Sequence, residues 1–156
     1  MAKPNHDKTV EEIAKKLLEL MGVDVKLTVE EDKDNDAIMV DIEAQEEAGL
    51  LIGKGGSTIN SIQVILGMIF RNKTGEWKRI LVNVNEWRDK QESYLKRLAE
   101  SAAQRAKETG SPQNLYNLNS SQRRIIHLYL SEDSELETES QGEGSSRYLL
   151  VRLKKK

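Results

Sequence analysis

Two short stretches of the chain carry residue types and spacings that could do chemistry. In the first, "LLIGKGGSTI" (Leu50 to Ile59), three glycines and a lysine sit between two apolar runs. A turn that only reversed the chain would need one glycine. Three within four residues point to something that comes close to the main chain, and the lysine makes that something an anion. In the second, "RRIIH", Arg123 and His127 stand four residues apart, which on a helix puts them on one face with Cβ atoms about 5–6 Å from each other. Together they offer a guanidinium fork and an imidazole to one ligand; the plainer alternative is a solvated arginine beside a histidine with a local hydrogen bond.

The glycine stretch fits neither common nucleotide loop. A P-loop needs Gly-x-x-x-x-Gly-Lys followed by Ser or Thr. Here Gly49 is one residue too close to Gly53, and Lys54 is followed by Gly55, so the magnesium-binding hydroxyl is missing. A dinucleotide fingerprint needs Gly-x-Gly-x-x-Gly, a spacing that Gly53, Gly55 and Gly56 do not have. The stretch does fit a Gly-x-x-Gly clamp between two short helices, with Gly53 and Gly56 as its outer glycines. Bare backbone lets a sugar-phosphate chain approach, N–H groups at the start of the next helix point outward as donors, and Lys54 adds a charge.

The elements that must hold these residues follow from periodicity. Thr9 and Glu12 have capping-box spacing, and Val10, Ile13, Ala14, Leu17, Leu18 and Met21 follow at helical intervals up to Gly22. Val23, Val25, Leu27 and Val29 alternate, "EDKDND" supplies a turn, and Ile38, Val40, Ile42 and Ala44 alternate again, which predicts a hairpin. A short apolar piece, Ala48 to Ile52, leads into the glycines. Ile59, Ile62, Ile65, Leu66 and Ile69 then repeat at helical spacing to Phe70, and Ile80, Val82 and Val84 predict a third strand. From Glu86 a helix is expected through Trp87, Tyr94, Leu95, Leu98, Ala99, Ala102 and Ala106, stopped by Gly110 and Pro112. "NLYNL" is a short strand candidate, "SSQRRIIHLYL" a helix with serines at its N-cap, and Leu136–Ser140 and Tyr148–Leu153 are strands around the polar turn "QGEGSS". The expectation is α+β with two units, residues 1–85 and 86–153, and a basic tail, 154–156.

Composition bounds the function. The 156 residues are 37% hydrophobic and 32% charged, with no cysteine, which excludes disulfides and thiol chemistry. The start "MAKPNHDKTVEE" has no apolar core of the signal-peptide kind, and no apolar run approaches the roughly 20 residues of a spanning helix, so a cytoplasmic protein without membrane insertion is expected. The net charge of -2 hides an uneven distribution. Residues 1–52 hold 6 Lys and Arg against 14 Asp and Glu, residues 53–130 hold 13 against 6, and residues 131–156 hold 5 against 6. The basic segment begins at the glycine stretch, which favours a polyanion as partner.

The pattern Ile52-Gly53-x-x-Gly56-x-x-Ile59, with Lys54, Gly55 and Ser57 in and beside the loop, resembles the K-homology domain. The order helix, strand, strand, helix, helix, strand resembles its second type. The resemblance implies a groove for about four unpaired nucleotides, with the clamp on the phosphates and an apolar floor under the bases, which Ile52 and Ile59 would line or support. "SSQRRIIHLYL", followed by "ETESQGEG" and a closing apolar strand, is similar to the small single-strand-binding domain named for its Arg-x-x-x-His motif. Arg123 and His127 are then the matching positions, with Arg124 a further phosphate contact. The two domains in this order resemble the bacterial Jag family, the SpoIIIJ-associated RNA-binding proteins, from about Thr9 to Leu153. Many members carry an additional N-terminal Jag domain. This chain starts almost at the first clamp-domain helix, so roles in cell elongation or sporulation that depend on that domain are not expected from the sequence.

The resemblance implies a non-enzymatic binder of single-stranded RNA, with single-stranded DNA as the other ligand, acting as an RNA chaperone or regulator. No catalytic or metal-ligating constellation is evident and no cofactor is implied: of the two histidines, His6 lies in a polar leader and His127 has no metal-ligand pattern near it. Two other classes remain. One is a protein-interaction module that forms a homodimer or pairs with a second small K-homology protein, for which an exposed apolar helix face would speak. The other is a nuclease or phosphotransferase, which would need carboxylates folded back beside Arg123.

Overall fold

The computed structural model describes residues 5–155, so the leader residues 1–4 and the last lysine of the basic tail lie outside it. Contacts divide the chain between Arg88 and Asp89 into two compact units, and the architecture is α+β in both.

The first unit opens with helix α1, His6–Leu20. Its cap is Asn5, whose side chain accepts the Lys8 N–H at 3.3 Å, rather than the Thr9–Glu12 pair; the Thr9 hydroxyl donates to the Asn5 carbonyl instead. Asn5 wins because its short amide reaches the free N–H of the third helical residue, which satisfies a group Thr9 sits too late to serve. His6 is therefore part of a helix and not of a leader, with its ring edge-on to Phe70 at 5.5 Å and Nε2 3.1 Å from the Glu76 carboxylate.

Strands β1 (Lys26–Asp32) and β2 (Ala37–Glu43) form the expected hairpin, antiparallel, with Val29 opposite Val40. β1 begins after Val23 and Val25 and takes in the first two residues of "EDKDND". Asp32 then closes the turn, accepting the N–H groups of Asp34 and Asn35 and the Asn35 amide, and these hydrogen bonds, the Asn35 side chain first, lower its carboxyl pKa. Helix α2 (Ala48–Ile52), a 3-10 turn at Lys54–Gly56, helix α3 (Ser57–Thr74) and strand β3 (Arg79–Val84) follow, and β3 lies parallel to β2 with Val82 beside Val40.

One face of this three-stranded sheet is the core. Ile38, Val40, Ile42, Ile80, Val82 and Val84 alternate onto it and meet Val10, Ile13 and Leu18 of α1, Leu51 of α2, and Ile59, Ile62, Leu66 and Phe70 of α3. Full burial of each such side chain stabilises the fold by about 1.5–3 kcal/mol. Ile65, which the spacing placed in the same stripe, points outward with 41% exposure.

The second unit begins in the first turn of helix α4, Trp87–Thr109. Leu95, Ala99, Ala102 and Ala106 line its buried face, and Gly110, at φ +67°, ends it by donating to the Ala106 carbonyl. Strand β4 is only Gln113–Leu115, because Asn117 turns to φ +57° and drops Leu118 into the core. Helix α5 (Ser120–Leu130) is capped by Asn119 and not by a serine. From Asn119 the third helical residue is Gln122, and the two exchange reciprocal hydrogen bonds at 2.9 Å, a closure that a serine one place later would lose. Strands β5 (Leu136–Gln141) and β6 (Tyr148–Leu153) complete an antiparallel sheet in the order β4-β6-β5, with Leu136, Leu149 and Val151 packed on Leu95, Ile126 and Leu130.

The glycines of the first stretch differ in kind. Gly53 lies at φ 71° and ψ 177°, a region open almost only to glycine, and a Cβ there would stand 2.3 Å from Thr58 Oγ1. Gly56, at φ +83°, lies under the indole of Trp87, whose Cη2 would be 2.2 Å from a Cβ. Gly55, at φ +59°, has open space where its Cβ would be. Two of the three glycines thus serve packing within the protein, and Gly55 is the one that leaves room beside the main chain. Gly55→Ala should cost about 1–2 kcal/mol from left-handed strain alone, whereas Gly56→Ala adds overpacking against Trp87 and should cost about 2–5 kcal/mol in all. Thermal melts of the two variants would show it, at roughly 4–8 °C per kcal/mol for a unit of this size.

Candidate nucleic-acid interface

The loop that carries Lys54 is shaped from both sides. α2 ends at Gly53, the chain makes one 3-10 turn, and α3 starts at Gly56 with no side-chain cap on its first N–H groups. Lys54, Gly55 and Ser57 are exposed. Among the described residues Lys54 has no hydrogen-bond or ion-pair partner. An uncapped helix start beside an uncommitted ammonium and accessible backbone is the local chemistry that attracts a phosphate. Ile52 is half-buried against the core, while Ile59 has no exposed surface. Ile59 can reach a ligand only indirectly, by holding the start of α3 in place.

Trp87 fixes the loop through the end of β3. Asn85 and Glu86 both take positive φ after that strand. The Asn85 N–H donates to the Ile42 carbonyl, and its side-chain amide bonds both the N–H and the carbonyl of Ala44, at 3.0 and 2.6 Å. This tight turn aims the indole at Gly56.

Accessible apolar surface lies farther along α3. Val64 and Met68 of that helix, with Trp77 and the cations Arg71 and Arg79, line a groove of about 310 Å³ between α3 and β3. Met68 and Trp77 are 67% and 71% exposed. The sequence reading, which assigned the floor to isoleucines inside the glycine motif, missed these residues. Trp77, a lone aromatic in a polar loop, was the available signal.

In the second unit, Arg123 and His127 lie one turn apart on α5 as the spacing required, but neither is idle. Arg123 is half-buried and its Nη1 donates to the Leu118 carbonyl, which ties the helix to the loop before it. His127 Nδ1 shares a hydrogen bond with Thr138 Oγ1 on β5. Arg124 is exposed and, among the described residues, without a partner. The glycine loop and this helix belong to different units, so each stands as a separate contact surface.

Residues 7–84 match the family described as KhpA/KhpB, KH domain, and residues 93–153 match the domain family named for the Arg-x-x-x-His motif. The chain belongs to the KhpA/KhpB family. The Jag resemblance read from the glycine loop and the Arg-x-x-x-His helix is the same assignment. The chain is similar to the RNA-binding protein KhpB of Clostridium symbiosum, 28% identical over 149 residues that cover 96% of this chain and 66% of that protein. It is similar also to the KhpB of Bacillus subtilis (strain 168), 33% identical over 108 residues covering 68% and 52%. A KhpB of Streptococcus pneumoniae is 26% identical over 129 residues, covering 83% and 39%. The chain thus spans about half to two thirds of the length of the first two relatives.

Within this KhpA/KhpB-type KH unit one cation near the groove is committed to structure. β3 is an edge strand, and Val82 would present its N–H and carbonyl unpaired. Gln63 Oε1 accepts that N–H at 3.1 Å, Arg88 Nε donates to that carbonyl at 2.7 Å, and Arg88 Nη2 closes the ring on Gln63 at 2.8 Å. Burial, with the like charge of Arg79, lowers the Arg88 pKa from its usual value. Arg88→Ala leaves the Val82 carbonyl without its donor and should cost about 1–3 kcal/mol in urea unfolding. It should leave the salt dependence of nucleic-acid affinity unchanged, which a paired titration would check.

Proposed function

We propose that the chain is a non-enzymatic, cytoplasmic binder of single-stranded RNA that grips phosphates at the Gly-x-x-Gly loop and at the Arg-x-x-x-His helix. The observation that carries this reading is the loop around Lys54: an uncommitted cation, with room for a ligand beside the left-handed Gly55, at the uncapped start of α3. The α3–β3 groove, with Trp77 at its far end, then receives bases by stacking and apolar contact, which every base allows. Gripping without base readout is the property an RNA chaperone or a broad regulator needs. The relatives' shared description as RNA-binding supports RNA over DNA. Among the described residues no helix is long and apolar enough to cross a membrane.

A second reading has its own observation. Val64, Ile65 and Met68 form an outward apolar stripe on α3, 60%, 41% and 67% exposed. Such a stripe fits a protein partner, either a second copy or another small K-homology protein.

One experiment separates the two. Lys54→Asp with Gly55→Asp puts two negative charges where the phosphate belongs, and should weaken binding to an unstructured RNA at least about tenfold with a nearly unchanged melt, since Asp tolerates the left-handed region. Met68→Glu should leave that affinity intact and change only the mass measured by light scattering. If the aspartate pair binds RNA as well as the wild type, the clamp reading is lost.

The two units are further proposed to act as separate domains on one strand. Fragments divided between Arg88 and Asp89 should each fold, and each should bind more weakly than the whole chain, because linkage makes the second contact intramolecular. Fragments that fail to give dispersed NMR spectra would refute the division.

A further inference from the structure

Strand β5, "LETESQ", and the loop "QGEGSS" after it have no part in the reading so far. The strand's alternation sorts its side chains. Leu136 enters the core, Thr138 meets His127 of α5, and Ser140 stands opposite the buried Leu149, so these three share the helix-facing side. Glu137 and Glu139 take the other face, where Arg152 holds them, Nε to Glu137 Oε1 at 2.5 Å and Nη2 to Glu139 Oε2 at 3.6 Å. The strand thus brings hydroxyls to the Arg123–His127 side and carries its carboxylates away from it.

The loop then returns a cation to the hydroxyl side. Gly142, at φ +85°, lies where a Cβ would come within 3.2 Å of the Ser146 carbonyl oxygen and 3.3 Å of Arg147 Cα, so only glycine lets the chain fold back this tightly. A 3-10 turn at Gly144–Ser146 follows, with the Ser146 N–H and hydroxyl both donating to the Glu143 carbonyl, at 3.2 and 2.8 Å. The turn delivers Arg147, whose Nε donates to Ser140 Oγ at 2.9 Å. Arg147 is exposed, and among the described residues its two Nη groups have no partner. A guanidinium has five N–H donors, and here one aligns it while the others face solvent.

α5 passes into β5 through the short turn 131–135, so the strand returns along the helix: His127 meets Thr138, and Arg123, one turn earlier, lies toward the Ser140 end where Arg147 arrives. We propose that Arg147 is a third cation of this site, a direct contact to a phosphodiester of the bound single strand, with Ser140 as the residue that positions it. The proposal rests on the RNA-binding reading and extends it from α5 to the β5–β6 loop.

The test is a salt titration of fluorescence anisotropy with a labelled oligouridylate, on the full chain and the variants Arg147→Ala, Arg147→Lys, Ser140→Ala, Arg123→Ala and Arg152→Ala. Arg147→Ala should make the slope of log affinity against log salt shallower by about 0.7, the value for one neutralised phosphate on a single strand. Arg147→Lys should restore the slope. Ser140→Ala should keep the slope and lower affinity about twofold, the loss of one aligning hydrogen bond to a group that stays charged. Arg152→Ala, on the opposite face, should change neither. In the wild type, the Arg147 Nε–H resonance should shift when the oligonucleotide is added, a readout that needs no variant to fold. An unshifted resonance with an unchanged Arg147→Ala slope, while Arg123→Ala still flattens it, overturns the proposal and leaves the RNA-binding reading standing. Equal effects of Arg147→Ala and Arg152→Ala would reduce both to diffuse charge and overturn it as well. A wild type that binds no oligonucleotide removes both readings together.

Discussion

The contact between the Trp87 indole and Gly56 is the constraint on which the first unit's candidate site depends. The ring occupies the volume a Cβ would need. It reaches that position because Asn85 extends the sheet by bonding Ile42 and Ala44 before the chain turns at positive φ. The glycine loop is therefore clamped between α2 on one side and the end of β3 on the other. Its backbone is held in place before any ligand arrives, which lowers the ordering cost of binding.

The second organising principle is the sorting of charge by backbone periodicity. The chain as a whole is slightly acidic, yet cations collect at both candidate contacts. In β5 this follows from a period of two: Glu137 and Glu139 alternate with Thr138 and Ser140, so one sheet face takes all the acid and pairs it with Arg152. A nuclease or phosphotransferase would need carboxylates beside Arg123. The strand nearest to α5 sends its own to the far side of the sheet. In the first unit the acids of the β1–β2 hairpin fold onto their own turn, where Asp32 is occupied with Asp34 and Asn35. The cations differ by commitment as well. Arg88 is spent on the open edge of β3 and Arg123 on the loop before α5, whereas Lys54, Arg124 and the Nη groups of Arg147 keep their donors for solvent or ligand.

Spacing in the sequence determined the order of elements, the two sheets' core faces and the placement of Arg123 and His127 on one helix, because those depend on periods of two and 3.6 that neighbouring residues set among themselves. It also identified the glycine loop and the family, since turn residues and their flanking isoleucines are local. Tertiary structure decided the rest. Asn5 and Asn119 displaced Thr9 and the serines as caps, because a cap is chosen by which side chain reaches a free N–H. Ile65 turned outward and Ile59 vanished into the core, because a helix has one buried arc and its width is set by the sheet beneath it. Gly53 and Gly56 proved necessary to the fold, since only the assembled unit brings Thr58 and Trp87 against them. Trp77 and Arg147 entered the candidate sites from loops whose composition carries no period. What places them is the return of the chain, which no spacing along the sequence encodes.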